Sequence, residues 1–102
     1  FNVVGEAKSA EEAMRLSQSA PIHLYIIDVV MPEASGIDLA KSLADISSPK
    51  CILMVSSLAS ENIIIDSISN GANDFLKKPF ESVELIRSVE KLMYFAQQEK
   101  IF

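Results

Sequence analysis

The sequence predicts an α/β domain built on an open parallel sheet, doubly wound, with helices on both faces. Three observations carry that prediction. Short apolar runs alternate along the chain with segments of helical periodicity. Two of those runs, residues 22–27 and 51–55, are too uniformly apolar for a strand with one wet face, and read as strands buried on both sides. Three runs give way to a polar residue, Asp28, Ser56 and Lys78, where an open α/β sheet places its working edge.

The elements follow in order. Residues 1–5, Phe-Asn-Val-Val-Gly, read as a strand, and Ser9 with Glu12 three residues on is a capping-box signature. The helix it opens runs through Ala13, Leu16 and Ser17 until Pro21 stops it. Residues 22–27 form the next strand, and residues 37–46 a helix with Ile37, Leu39, Ala40, Leu43, Ala44 and Ile46 as apolar positions. Ser47-Ser48-Pro49 breaks it before the strand at 51–55. Ser60 caps a helix that ends at Gly71, where a left-handed residue is cheapest. Asp74-Phe75-Leu76 is a very short strand. A last helix at 81–97 places Val83, Ile86, Val89, Leu92, Met93 and Ala96 at helical spacing.

Composition bounds the function. At 102 residues there is room for one core, so residues 1–102 form one domain. An apolar content of 49% excludes intrinsic disorder, because enough side chain is available to offset the entropy of ordering. A net charge of −5 argues against a nucleic-acid-binding domain, whose affinity comes from Lys and Arg on phosphates. The single Cys51 excludes an internal disulfide framework and a multi-cysteine metal site, which fits a reduced, cytoplasmic setting. No apolar run approaches the roughly 20 residues that span a bilayer, and no charged-then-apolar leader is present, so no membrane partner is expected. The chain opens on Phe1 rather than Met, and residues upstream of it are expected to have been lost.

The polar strand ends are where chemistry is expected. A carboxylate, a hydroxyl and an ammonium converging on one rim suit a site that handles oxyanions. Asp28 could be a metal ligand or a nucleophile, and Ser56 and Lys78 could bind phosphoryl oxygens.

Asp28-Val29-Val30-Met31-Pro32 with Gly36 downstream, then Ser56-Ser57, then the run from Gly71 to Phe80 containing Lys77-Lys78-Pro79, resembles the receiver domain of two-component response regulators, the CheY-like family. The resemblance covers essentially the whole chain and implies the CheY-like, flavodoxin-like sheet. It implies a phosphoprotein that takes a phosphoryl group from a histidine kinase or phosphotransfer protein on Asp28, then alters its binding to a downstream protein target. Lys78 would contact the phosphoryl group, and the Lys78–Pro79 bond would be cis. Ser56 would hydrogen-bond a phosphoryl oxygen, and Phe75 would be the aromatic switch. The backbone carbonyl of Val30 and the carboxylate of Asp28 would be Mg²⁺ ligands. The family's partner surface would include Ile63, Ile64, Ile65 and Phe75.

One part of the family pattern is missing. Receivers begin with a strand ending in an acidic pair that holds Mg²⁺, followed by a helix. This chain opens on what matches the family's second strand, so it is expected to be truncated at the N-terminus, an incomplete receiver short of one strand and one helix, roughly 20–25 residues. Glu6 belongs to the second strand in this match and is a poor substitute. Mg²⁺ would therefore be bound in the intact parent and weakly or not at all here. The lost strand would leave two open edges, so a homodimer or strand-swapped oligomer is an expected way out.

Other residues have plainer readings. Lys77 is a surface charge, His23 a structural or surface histidine, Cys51 a buried apolar residue, and Met14, Met54 and Met93 belong to the core. Ile63-Ile64-Ile65 spans about 200° of a helix and cannot all face one core, so at least one is exposed. Tyr94, Phe95, Ile101 and Phe102 make the C-terminal end apolar and could extend a partner surface. Val30 and Leu58, two residues beyond Asp28 and Ser56, are apolar, which by the resemblance makes hydrolysis of the acyl phosphate slow.

Within these 102 residues no output domain follows the last helix, so a single-domain regulator of the chemotaxis or phosphorelay type, or an excised receiver, is expected; no enzymatic activity is expected. The alternative is a phosphorylation-independent structural or dimerisation module derived from a receiver. A Mg²⁺-dependent phosphohydrolase also uses an Asp after a strand, but wants a second acid two residues on, where Val30 stands.

Overall fold

A computed structural model describes residues 10–19, 22–31, 34–45 and 51–99 of the chain. The strand expected at 1–5, Glu6, the cap at Ser9, the breaks at Pro21 and 47–49, Ile46, Pro32, Ile101 and Phe102 lie outside the described residues, as does the side chain of Phe95.

The elements are α1 (Ala10–Ser19), β1 (Leu24–Asp28), β2 (Val30–Met31), β3 (Ala34–Ser35), α2 (Gly36–Ala44), β4 (Cys51–Ser56), α3 (Glu61–Ser69), β5 (Asp74–Lys77) and α4 (Ser82–Glu99). β1, β4 and β5 form a parallel sheet in the order β1-β4-β5. β1 pairs with β4 from Leu24 opposite Cys51 to Asp28 opposite Val55, and β4 pairs with β5 from Leu53 opposite Asp74 to Ser56 opposite Lys77. Each strand of the sheet is followed by a helix that returns the chain to the starting edge, as parallel pairing requires. β2 and β3 form a separate antiparallel ribbon, Val30 opposite Ser35 and Met31 opposite Ala34. Pieces two residues long leave no alternation in a sequence, which is why the ribbon was not anticipated.

β4 is the centre of the core. All six of its residues are buried, and the pleat sends them alternately to two apolar clusters. Ile52 and Met54 join Ile27 of β1 with Ala13 of α1 and Leu39, Ala40 and Leu43 of α2, and Ile63 of α3 packs against them. Leu53 and Val55, with Cys51, meet Val89 and Leu92 of α4. Three helices thus contribute to one face and α4 to the other.

That imbalance corrects one expectation. The run at 22–27 was read as buried on both faces, yet Ile27 is 5% exposed and Ile26 51% exposed. Ile27 points to the face with three helices. Ile26 points to the face with α4 alone, and β1 is an outer strand of the described sheet, so no described helix covers Ile26.

Local signals explain the helix ends. The Ser35 hydroxyl caps α2 by accepting from the amide of Ile37 at 3.2 Å, and Ser60 caps α3 by accepting from Ile63 at 3.3 Å. Gly71 follows α3 at φ 112°, a conformation other residues adopt only under strain. α1 lies against β1: burial pushes the Tyr25 phenol above its usual range, while a hydrogen bond with Ser17 acts in the opposite sense.

Candidate functional site

The register brings the three polar strand ends to one rim. Asp28 closes β1, Ser56 closes β4, and Lys78 directly follows β5. The amide of Val29 donates to the carbonyl of Val55 at 3.0 Å, and that of Lys78 donates to the carbonyl of Ser56 at 2.9 Å. Pairing thus continues one residue past β1 and β5, holding both side chains at the edge. The Lys78–Pro79 peptide bond is cis.

The lysine reaches across the sheet to the aspartate. Lys78 Nζ donates to Asp28 Oδ2 at 2.6 Å, a charge-assisted hydrogen bond between residues 50 apart in sequence. The other carboxylate oxygen, Oδ1, accepts from the amide of Val30 at 3.0 Å. The pair stays in reach of solvent, with side chains 42% (Lys78) and 35% (Asp28) exposed, so its contribution to stability is at most about 1 kcal/mol. A hydrated pair of this kind is poised to exchange partners with an incoming anion.

Pleat parity separates the remaining site residues. Asp28 alternates with Leu24 and Ile26 on the α4 side, whereas Ser56 alternates with Ile52 and Met54 on the other. Ser56 is fully buried, and its hydroxyl oxygen accepts from the amide of Leu58 at 2.9 Å, tying the β4–α3 loop to the strand end. Phe75 packs half-buried against the three-helix cluster, one pleat step before Lys77, the partner of Ser56. Val30 and Leu58 stand 58% and 51% exposed beside this rim.

α3 is turned inside out relative to its composition. Ser67 is fully buried, its hydroxyl donating to the Ile63 carbonyl at 2.8 Å, while Ile65 and Ile68 are 54% and 46% exposed. Ile63 faces the core and Ile64 is half-buried, so of the three consecutive isoleucines Ile65 is the exposed one. Ile68 belongs to the same outward side, which no signal in the sequence marks.

Mg²⁺ wants about six oxygen ligands in near-ideal octahedral geometry. The described residues offer the Asp28 carboxylate, already engaged by Lys78 and Val30, and the Val30 carbonyl. No group of three His, Cys, Asp or Glu side chains suited to a metal occurs among the described residues. By themselves these residues do not make a Mg²⁺ site.

A parallel α/β sheet with helices on both faces and a carboxylate and a lysine joined at its C-terminal rim defines a doubly wound protein. The chain belongs to the response regulator receiver domain family, whose model matches residues 1–90, and is thus a CheY-like receiver of two-component signalling. It is 31% identical over 93 residues to the chemotaxis protein CheY of Bacillus subtilis, covering 91% of this chain and 78% of that protein. It is 33% identical over 92 residues to the chemotaxis protein CheY of Listeria monocytogenes, covering 89% of this chain and 76% of that one. Among solved structures, a signal receiver domain from Vibrio parahaemolyticus superposes with a TM-score of 0.87 at 24% identity, covering 93% of this chain and 73% of that one.

Proposed function

We propose that the domain is a cytoplasmic phosphorylation switch in which Asp28 is the phosphoacceptor. The observation that carries this reading is the 2.6 Å hydrogen bond from Lys78 to Asp28 across the sheet rim. A carboxylate held by an ammonium and a backbone amide is oriented, and the ammonium is placed to follow the charge as it moves onto a phosphoryl group.

In the reaction a carboxylate oxygen of Asp28 attacks the phosphorus of a phosphohistidine on a kinase or phosphotransfer protein. The new O–P bond forms as the P–N bond breaks, the electron pair remains on the imidazole nitrogen, and that nitrogen takes up a proton. Lys78 then pairs with the phosphoryl oxygens. The Ser56 hydroxyl accepts from Leu58 and keeps its own proton, so it can donate to a phosphoryl oxygen once it turns toward the rim. Such a turn draws the β4–α3 loop inward and vacates space on the side where Phe75 packs. Partner affinity would change at Phe75 and the outer side of α3, with Ile64, Ile65 and the adjoining Ile68 as the apolar contact and Ile63 holding the helix to the core. Mg²⁺, where bound, would take Asp28 and the Val30 carbonyl together with carboxylates outside the described residues. With apolar Val30 and Leu58 beside the acceptor, the acyl phosphate is expected to hydrolyse slowly.

The test is labelling with a small acyl-phosphate donor and with a phosphorylated histidine protein, with and without Mg²⁺, on this chain and on its full-length parent. Wild-type parent is expected to label and Asp28→Asn not to; label surviving in Asp28→Asn removes Asp28 as acceptor. A labelled parent that decays within seconds contradicts the role given to Val30 and Leu58.

A second reading, a phosphorylation-independent structural or dimerisation module, is favoured by one observation. Ile26 of β1 and Val83 and Ile86 of α4 are 51%, 48% and 46% exposed in elements of the face that α4 alone covers. An apolar surface there suits a second copy. The same labelling separates the readings, because the module requires no phosphoryl transfer.

A further inference from the structure

We infer that Gly36 is a positioning residue for the Asp28 carboxylate, acting through the backbone of residues 28–30. The inference rests on the phosphoacceptor reading and adds to it the element that holds the acceptor in place.

Gly36 is the first residue of α2 and is buried. A Cβ at this position would lie 2.1 Å from the carbonyl oxygen of Asp28, 2.8 Å from its carbonyl carbon and 2.8 Å from the Cα of Val29. All three are backbone atoms, so no side-chain rotation relieves the contact. Gly71 is the glycine with a positive φ among the described residues, so what Gly36 supplies is space rather than an unusual conformation. The start of α2 therefore rests directly on the peptide group of the acceptor.

That contact belongs to a clamp. The Gly36 amide donates to the Val29 carbonyl at 2.9 Å, while from the other side the Val29 amide donates to Val55 of β4 at 3.0 Å. The β2–β3 ribbon, with Val30 opposite Ser35, closes the loop between the two. Inside the clamp the Val30 amide is presented to Asp28 Oδ1 at 3.0 Å, and Oδ2 is left facing Lys78 at 2.6 Å. The Val30 amide that aims Oδ1, and the distance from Oδ2 to Lys78, thus both depend on where residues 28–30 are held. A side chain at 36 must push either α2 or Asp28 by about 1 Å, and a displacement of that size in a reacting group slows a step by about a hundredfold.

The experiment measures phosphorylation of the full-length protein by a small acyl-phosphate donor over a range of donor concentrations. Gly36→Ala is compared with wild type in plain buffer and with trimethylamine N-oxide, an osmolyte that strengthens burial, so the rate is read on folded protein even where the substitution destabilises it. In folded Gly36→Ala the rate at saturating donor is expected to fall roughly 10- to 100-fold, with the half-saturating concentration within about twofold of wild type. Gly71→Ala is the control: a side chain there meets Ala44 of α2 and lowers the midpoint of urea unfolding, and it is expected to leave the saturating rate unchanged. Saturating rates at the wild-type level in folded Gly36→Ala overturn the inference, as does an equal loss in Gly71→Ala. Asp28→Asn, run alongside, isolates the underlying reading: if it labels like wild type, the acceptor assignment falls and Gly36 with it. If Asp28→Asn is silent and Gly36→Ala is normal, only the role of Gly36 falls.

Discussion

The lysine–aspartate pair separates stability from chemistry at a single position. With side chains 42% and 35% exposed, Lys78 and Asp28 gain little from each other in the resting fold, because water screens and competes for both. Charge moving onto a transferred phosphoryl group is different, since an ammonium already in place needs no reorganisation. Lys78→Met is therefore expected to lower unfolding stability by no more than about 1 kcal/mol in urea titration. It is expected to cut the rate of Asp28 labelling by about a hundredfold or more. Unchanged labelling with reduced stability would make the pair structural. The identity of both residues was legible in the sequence, because polar residues ending apolar strands stand out. That Asp28 and Lys78 share a pleat side while Ser56 does not was not legible, since side-chain parity at a strand end depends on where pairing starts and stops.

At the scale of elements, the helices were legible where a cap or a stop residue marks them. Ser60 and Gly71 bracket α3, and the observed helix, Glu61–Ser69, sits inside those signals. Its orientation was not legible. Ile63 and Ser67 turn inward and Ile65 and Ile68 outward; hydrophobicity alone assigns Ile63 correctly and the other three wrongly, because the site where α3 packs accommodates a hydroxyl bonded to its own helix. Gly71 adds a second requirement: besides its φ of 112°, a Cβ there would lie 2.6 Å from the Ala44 Cβ of α2. Gly71→Ala is expected to cost more than about 1 kcal/mol, and less when Ala44→Gly is also present. A double-mutant cycle read by urea unfolding measures the difference. Strict additivity would show that backbone strain, not the approach of α2, is what excludes a side chain. The β2–β3 ribbon marks the limit of sequence reading: four residues that leave no period yet bring Gly36 against Asp28.

For the whole molecule the governing fact is the uneven cover of the sheet. The face shared by α1, α2 and α3 is closed over Ile27, Ile52 and Met54, whereas the α4 face leaves Ile26, Val83 and Ile86 about half exposed. Exposed apolar surface of this kind promotes association. The chain is expected to self-associate with rising concentration by light scattering, and Ile26→Glu to shift it toward monomer while keeping the fold. A chain that stays monomeric at high concentration would count against the dimerisation reading and leave the switch reading intact.

By itself the sequence determined the architecture and which strands end on polar residues. Short apolar runs alternating with segments of 3.6-residue period specify a wound parallel sheet, and Asp28, Ser56 and Lys78 stand out as polar residues directly after apolar strands. Only the tertiary structure decided which groups meet. It joined Lys78 to Asp28 across β4, tied the Ser56 hydroxyl to Leu58, turned Ile65 and Ile68 outward, and set α2 on the Asp28 peptide at Gly36. The physical reason is that periodicity records the average environment of a segment, whereas contacts 50 residues apart are set by strand register and by how closely one backbone can approach another.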